Sequence, residues 1–191
     1  MTLHHFLKRL LINKNIMSGH NKWSKIKHKK AATDAAKSKI FGKLVRLIQV
    51  EAKKANGDVN SPGLAAAMAK ALKANMPKDN IERAIKKASE AGESQEVVYE
   101  AYGPGGVGII ITGLTDNTNR ISAEIKHTLS KNNGSLGTPG SVSWNFTRNQ
   151  DQEWEANTTV TLEETDEGKL ERLIELLEEN DDVQDVYHNA E

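Results

Sequence analysis

Between Ser18 and Arg46 the chain carries nine Lys or Arg residues, Lys22, Lys25, Lys27, Lys29, Lys30, Lys37, Lys39, Lys43 and Arg46, against a single acid, Asp34. Trp23, His20 and His28 are set among them. The chemistry open to such a set is neutralisation of phosphate. Each Lys–phosphate contact releases condensed counterions, and an aromatic such as Trp23 can stack on an unpaired base. Like charges repel and a Lys head in a dry core is costly, so the run does not collapse on itself. A charge run is ordinarily a solvated helix face. This one is large, unbalanced by neighbouring acids and confined to one half of the chain, which points to an anionic partner, a nucleic acid or the ribosome.

Other candidate chemistry does not assemble. His20 and His28 are eight residues apart, with cations where a third metal ligand should stand, and His127 and His188 are isolated, so no metal site is expected. The run GPGGVG at 103–108 lacks the Lys-Ser/Thr and the following helix of a phosphate loop; its glycines suit a tight hairpin instead. Glu163, Glu164, Asp166 and Glu167 fit the start of a helix, and Asp181-Asp182 a turn before a strand, rather than acid–base catalysis. No catalytic residue, cofactor or small-molecule substrate is expected.

The formal net charge of +0 hides an asymmetry. From Ser18 to Glu90 there are 17 Lys/Arg against 6 Asp/Glu, and from Ala91 to Glu191 there are 6 against 20. Two halves of opposite sign imply two modules, the acidic one a solubilising or protein-docking surface. There are no cysteines, which excludes disulfides, thiolate metal sites and a Cys nucleophile. No apolar run approaches the ~20 residues of a membrane span.

The elements that must position the cations follow from periodicity. Met1–Ile16 is basic, acid-free and mildly amphipathic; it reads as sequence ahead of an internal start at Met17, with an organelle-targeting segment as the other reading. From about Ala31, Ile40, Leu44, Leu47 and Ile48 define one helical face, and Lys39, Lys43 and Arg46 a second, offset by roughly a third of a turn. Asn56-Gly57 stops this helix, and further helices start near Pro62 and Pro77, making a small three-helix domain that ends by Gly92. The period then changes. Val97–Tyr102 and Val107–Thr112 read as hairpin strands, Asp116–Asn119 caps a helix carrying Ile121, Ile125 and Leu129, and Ser141–Phe146 and Thr158–Leu162 read as strands flanking a polar connector, Thr147–Asn157. A helix carrying Leu170, Leu173, Ile174 and Leu177 and a strand Val183–His188 complete the chain.

The blocks GHNKWSKIKHKKAATDAAKSKIFGKL, ANMPKDNIERAIKKA, YEAYGPGGVGIIITGLTDNTNR and LLEENDDVQDVYHN occur in that order and resemble the YebC/PmpR family of probable transcriptional regulators, whose mitochondrial relatives act as translational activators. The resemblance covers most of the chain from Ser18 onward. It implies a non-enzymatic cytoplasmic protein with a helical N-terminal domain and α/β domains, acting on DNA or, in the other description of the family, at the ribosome. The family's basic motif maps onto Lys22, Trp23, Lys25, Lys27, His28, Lys29 and Lys30, followed by Lys37, Lys39, Lys43 and Arg46. Family members usually carry a further α/β domain between SVSWNF and the final strand-helix-strand, where this sequence has Thr147–Asn157.

The expected fold is therefore α+β: a leader over 1–17, a basic three-helix domain over 18–92, and an acidic ferredoxin-like βαββαβ domain with an extra hairpin strand over 93–191. The expected function is nucleic-acid binding without catalysis, as a DNA-binding transcriptional regulator or alternatively a translation factor on ribosomal RNA. Oligomeric state is left open.

Overall fold

A computed structural model describes residues 34–90, 92–149 and 153–191. The leader and the basic lead-in from Ser18 to Lys30 lie outside the described residues. Three helices open the described chain: α1 (Asp34–Lys54), α2 (Pro62–Lys73) and α3 (Lys78–Lys86). Leu44, Ile48 and Ala52 recur every four residues along α1, which lines them on one face. They are buried against Leu64, Ala67 and Ala71 of α2 and Ile81 and Ala84 of α3. The expected stop after α1 is formed by Asn56 and Gly57 with positive φ, and Gly57 N–H donates to Ala52 O at 2.8 Å. Asn75 repeats the device after α2, where Met76 N–H reaches Ala71 O at 3.0 Å. Ile40, expected on the apolar face, lies at the surface because the packed stretch of α1 begins at Phe41 and Leu44.

The second unit is a four-stranded antiparallel sheet in the order β3-β1-β2-β6, with β1 (Gln95–Tyr102), β2 (Gly108–Thr115), β3 (Ser135–Leu136) and β6 (Val183–His188). Helices α4 (Thr118–Lys131) and α5 (Glu164–Glu178) cover one face, burying Ile109 and Ile111 of the sheet under Ile121, Ile125, Leu129, Leu170, Leu173 and Leu177. The β1–β2 hairpin turns through Gly105 and Gly106 at φ 67° and 77°. At Gly105 a Cβ would also come within 2.3 Å of Leu162 Cδ2, so the turn needs glycine twice over. Asn117 caps α4, its side-chain oxygen accepting from Arg120 N–H at 3.0 Å.

The α+β class and the order of the two units stand as expected, but two strands are placed differently. Ser141–Phe146 alternates like a strand, yet Ser143–Asn145 is a 3₁₀ turn and the strand that follows is β4, Phe146–Arg148, paired with β5, Trp154–Ala156, in a separate hairpin. The cause is local competition: the Glu100 carboxylate accepts the Val142 and Ser143 N–H groups at 2.6 and 2.8 Å, removing them from any ladder. Thr158–Leu162 contributes a single bridge, Val160 to Ala190, because Asn145 ties Thr158 through both its amide oxygen and its amide nitrogen. The inner place beside β2 goes to β1, the strand expected to be an appendage.

Charge joins the two units. The Asp182 side chain, 8% exposed, accepts from Arg46 of α1 at 2.8 Å through Oδ1, and through Oδ2 from Arg120 of α4 at 2.6 Å and Thr115 of β2 at 2.8 Å. Lys70 of α2 pairs with Asp185 of β6 at 2.6 Å, and Lys54 with Glu96 of β1. Burial alone would raise the Asp182 pKa, but the hydrogen bonds from Arg120, Thr115 and Arg46 outweigh it and hold the carboxyl below its ordinary range. A depressed carboxylate pKa contributes stability above its unfolded value that is lost as pH falls through the folded one. Thermal melts should therefore hold above about pH 5 and weaken progressively as the pH falls below it. Asp182→Ala removes the acceptor that Arg46, Arg120 and Thr115 share, while Arg46 keeps Leu114 O and Asp181 O and Arg120 keeps Asp116, and should cost roughly 1–2 kcal/mol at neutral pH, a fall in Tm of about 2–8 °C for a chain of this length. An unchanged melt in Asp182→Ala would show that the carboxylate contributes nothing to the joint.

Candidate nucleic-acid interface

Of the eleven residues expected to meet nucleic acid, Lys22, Trp23, Lys25, Lys27, His28, Lys29 and Lys30 lie outside the described residues. The other four are on α1. Lys37 is exposed near its start. Lys39, Lys43 and Arg46 share a face, as their spacing requires, and that face is turned onto the second unit, with the Lys39 and Arg46 side chains still partly exposed.

The arrangement has a simple electrostatic origin. The last carbonyls of a helix lack partners within it and carry the negative end of its dipole. Helix α5 has no basic residue in its last turn, and α1 supplies the missing cations from outside: Lys39 Nζ donates to Glu179 O, and Lys43 Nζ to Glu178 O at 2.8 Å. Lys39 also lies 3.8 Å from the Asp181 carboxylate. Arg46 spreads its donors over Leu114 O and Asp181 O, each at 3.3 Å, and the Asp182 carboxylate. Burial pushes the Lys43 pKa down to about 8, with Glu178 opposing that shift. Its charge is thus less favoured in the fold than in water, with Glu178 offsetting part of that cost.

Two hollows mark the seam. One, of about 390 Å³, is lined by Arg46, Arg120, Glu124, Asn180, Asp181 and Asp182; the other, of about 190 Å³, by Lys39, Gly42, Lys43, Arg46 and Asp181. The guanidinium and carboxylate groups in the first are bonded to one another, and Asn180 donates to Glu124 at 2.7 Å. Such an arrangement fixes two bodies against each other. Among the described residues no group of three His, Asp or Glu is placed to hold a metal ion, and no helix is long and apolar enough to cross a membrane.

Residue-by-residue reading of the sequence missed the seam's acceptors, Asp181, Asp182 and Asp185, and two of its donors, Lys54 and Lys70. The signal was present only in aggregate, as opposite net charges on the two halves. Further exposed cations, Lys73 at the end of α2 and Lys78, Lys86 and Lys87 along and after α3, extend the basic surface of the helical unit beyond the stretch that stood out in the sequence.

Comparison with known proteins places this geometry. The family model described as the TACO1/YebC protein N-terminal domain matches residues 21–91, and that of the TACO1/YebC second and third domain matches in two segments, 94–151 and 147–190. A probable transcriptional regulatory protein of Fervidobacterium nodosum is 48% identical over 171 residues, covering 87% of this chain and 68% of the relative. One of Borreliella afzelii is 57% identical over 136 residues, covering 69% of this chain and 56% of the relative. The chain thus spans roughly half to two thirds of the length of such relatives. The crystal structure of a conserved hypothetical protein from Aquifex aeolicus superposes with a TM-score of 0.77 at 32% identity, covering 90% of this chain and 97% of that one. With both family models matched in chain order from residue 21 to residue 190, the chain belongs to the TACO1/YebC family.

Proposed function

We propose that this chain is a non-enzymatic, cytoplasmic, nucleic-acid-binding regulator whose basic helical unit grips the phosphate backbone. The observation that carries the reading is the unbalanced cationic stretch, considered after the seam has taken its share. Of its nine Lys and Arg residues, Lys39, Lys43 and Arg46 have acceptors on the second unit, while Lys22, Lys25, Lys27, Lys29, Lys30 and Lys37 supply six cations with Trp23 and His28 among them. Among the described residues, the acidic half answers Lys39, Lys43 and Arg46 of that stretch.

The names of the relatives support regulation of transcription, and DNA is the partner that this reading takes first. The orientation of α1 favours a second form of the same activity. A helix whose cationic face is laid against another unit is not offered to a DNA groove, and recognition then rests on phosphates and on the shape of the nucleic acid, as in binding to ribosomal RNA.

Salt dependence separates the two uses of the cations. With six phosphate contacts the slope of log K against log salt on duplex DNA should be about −5; with all nine it should be about −8. A flat response would remove the electrostatic basis of the proposal. Replacing Lys25, Lys29 and Lys30 together by Glu should abolish binding and leave the melting temperature near that of the unaltered chain, whereas Arg46→Glu should lower the melting temperature, because it sets a carboxylate against Asp182. If the triple variant unfolds instead, those lysines are structural. Protection of one discrete DNA site by the full chain would favour the transcriptional form, and co-sedimentation with ribosomes the other.

A further inference from the structure

Trp144 is 73% exposed, the most exposed of the large apolar side chains among the described residues. Its position is nonetheless fixed. Nε1 donates to Ser141 O at 2.9 Å, and the Tyr102 hydroxyl, at the end of β1, donates to the same oxygen at 2.8 Å. Two aromatic side chains thus converge on one carbonyl, and Tyr102 is itself 39% exposed. The loop that carries Trp144 is locked from beneath: Glu100 accepts N–H groups of Gly140, Val142 and Ser143 at 2.7, 2.6 and 2.8 Å. Those three bonds outweigh burial and hold the Glu100 carboxyl below its ordinary range.

We infer that Trp144 and Tyr102 form a stacking platform for unpaired nucleobases, a second contact for the single-stranded part of a nucleic acid. The inference rests on the nucleic-acid reading proposed above. Both rings spend their one hydrogen-bond donor on the protein's own carbonyl. What they offer outward is a π face and hydrocarbon, with no donor left to orient a peptide, and stacking is the recognition mode that needs only a face. A protein partner of ordinary affinity needs roughly 800 Å² on each side around an apolar centre. Beside Trp144 the exposed large apolar residue is Tyr102; Leu136 pairs with the buried Ala101 and so lies on the other face of the sheet, and so small a patch suits one or two bases better. The Glu100 carboxylate beneath the loop is taken up by backbone N–H groups and so does not stand against a phosphate there.

The test uses the full chain with a fluorescein-labelled 15-nucleotide single strand and a duplex of the same sequence, read by fluorescence anisotropy. Trp144→Ala should weaken single-strand binding roughly ten-fold, leave the duplex affinity and the melting temperature unchanged, and be largely rescued by Trp144→Phe, which restores a face without the indole. Equal affinities of Trp144→Ala and the unaltered chain for the single strand would overturn the platform while leaving phosphate binding through the basic stretch standing. Equal weakening on single strand and duplex would also overturn it. Loss of self-association on sedimentation in Trp144→Ala, with single-strand affinity intact, would assign the pair to a second copy of the chain instead. If the unaltered chain binds neither probe, the nucleic-acid reading itself fails.

Discussion

The Asp182 carboxylate is the constraint on which most of this structure turns. A buried carboxylate is costly unless its lone pairs are met, and here they are met by three different elements, α1 through Arg46, β2 through Thr115 and α4 through Arg120. Each partner is fixed in turn by something else. Thr115 Oγ1 also accepts from Asn117 N–H at 3.0 Å, and Asn117 is the cap that starts α4, so the residue that begins the helix also orients the arginine three places along it. The Asp182 backbone takes part as well, its carbonyl accepting from Leu114 N–H at 2.8 Å. The register of β2 against β6 shifts at Thr112/Gly113, where a Cβ on Gly113 would stand 2.9 Å from Asp182 O. A glycine is needed there because the acid's backbone comes so close.

From this knot the division of labour among the cations follows. A lysine row beside an apolar helical face reads in isolation as a surface awaiting phosphate. Placed beside the C-terminal end of α5, the same row meets two backbone carbonyls and an aspartate that lack any basic residue of their own helix. The nearer acceptor wins because the connection within one chain makes its effective concentration high. Lys43 shows what this costs: burial pushes its pKa down to about 8, so the protonated form is disfavoured in the fold, and stability should rise as pH climbs from about 8 toward the unfolded lysine value. The charge asymmetry of the chain is therefore only partly a message to an outside partner, and partly the means by which two units of opposite sign hold together.

Much of the fold was legible in the sequence wherever a local rule decided it. The four-residue recurrence of Leu44, Ile48 and Ala52, the stop at Asn56-Gly57, the glycine hairpin between β1 and β2 and the Asn117 cap each follow from neighbours in sequence. The readings that differ share one cause. Ser141–Phe146 has the alternation of a strand, and nothing within it reveals that a carboxylate 42 residues away takes the Val142 N–H. Thr158 loses its ladder to Asn145 by the same kind of side-chain competition, 13 residues distant. The site was legible as composition and not as geometry: the cations were found, but the direction in which Lys39, Lys43 and Arg46 point depends on where α5 ends, which no periodicity encodes. Trp144 was read as part of a strand, and its exposure follows from the loss of that strand.

The family match breaks where the sheet's second face is closed. The two matched segments of the second-and-third-domain model overlap at 147–151, a stretch that starts in β4. The β4–β5 hairpin has a structural task in this chain: Phe146, Trp154 and Ala156 pack with Val142 and Tyr187 over Ile110, whose side chain is fully buried although it faces away from both helices. Burying an isoleucine is worth on the order of 2 kcal/mol, so the join supplies part of the core. Arg148, stacked 4.6 Å over Trp154 on the paired strand, adds an edge that tolerates solvent. The segment that begins in the Glu100-locked loop and presents Trp144 is consequently tied at both ends, by Glu100 on one side and by the pairing of β4 with β5 on the other. An exposed aromatic held between two such anchors loses little conformational freedom on contact, which is the condition under which a single ring contributes usefully to binding.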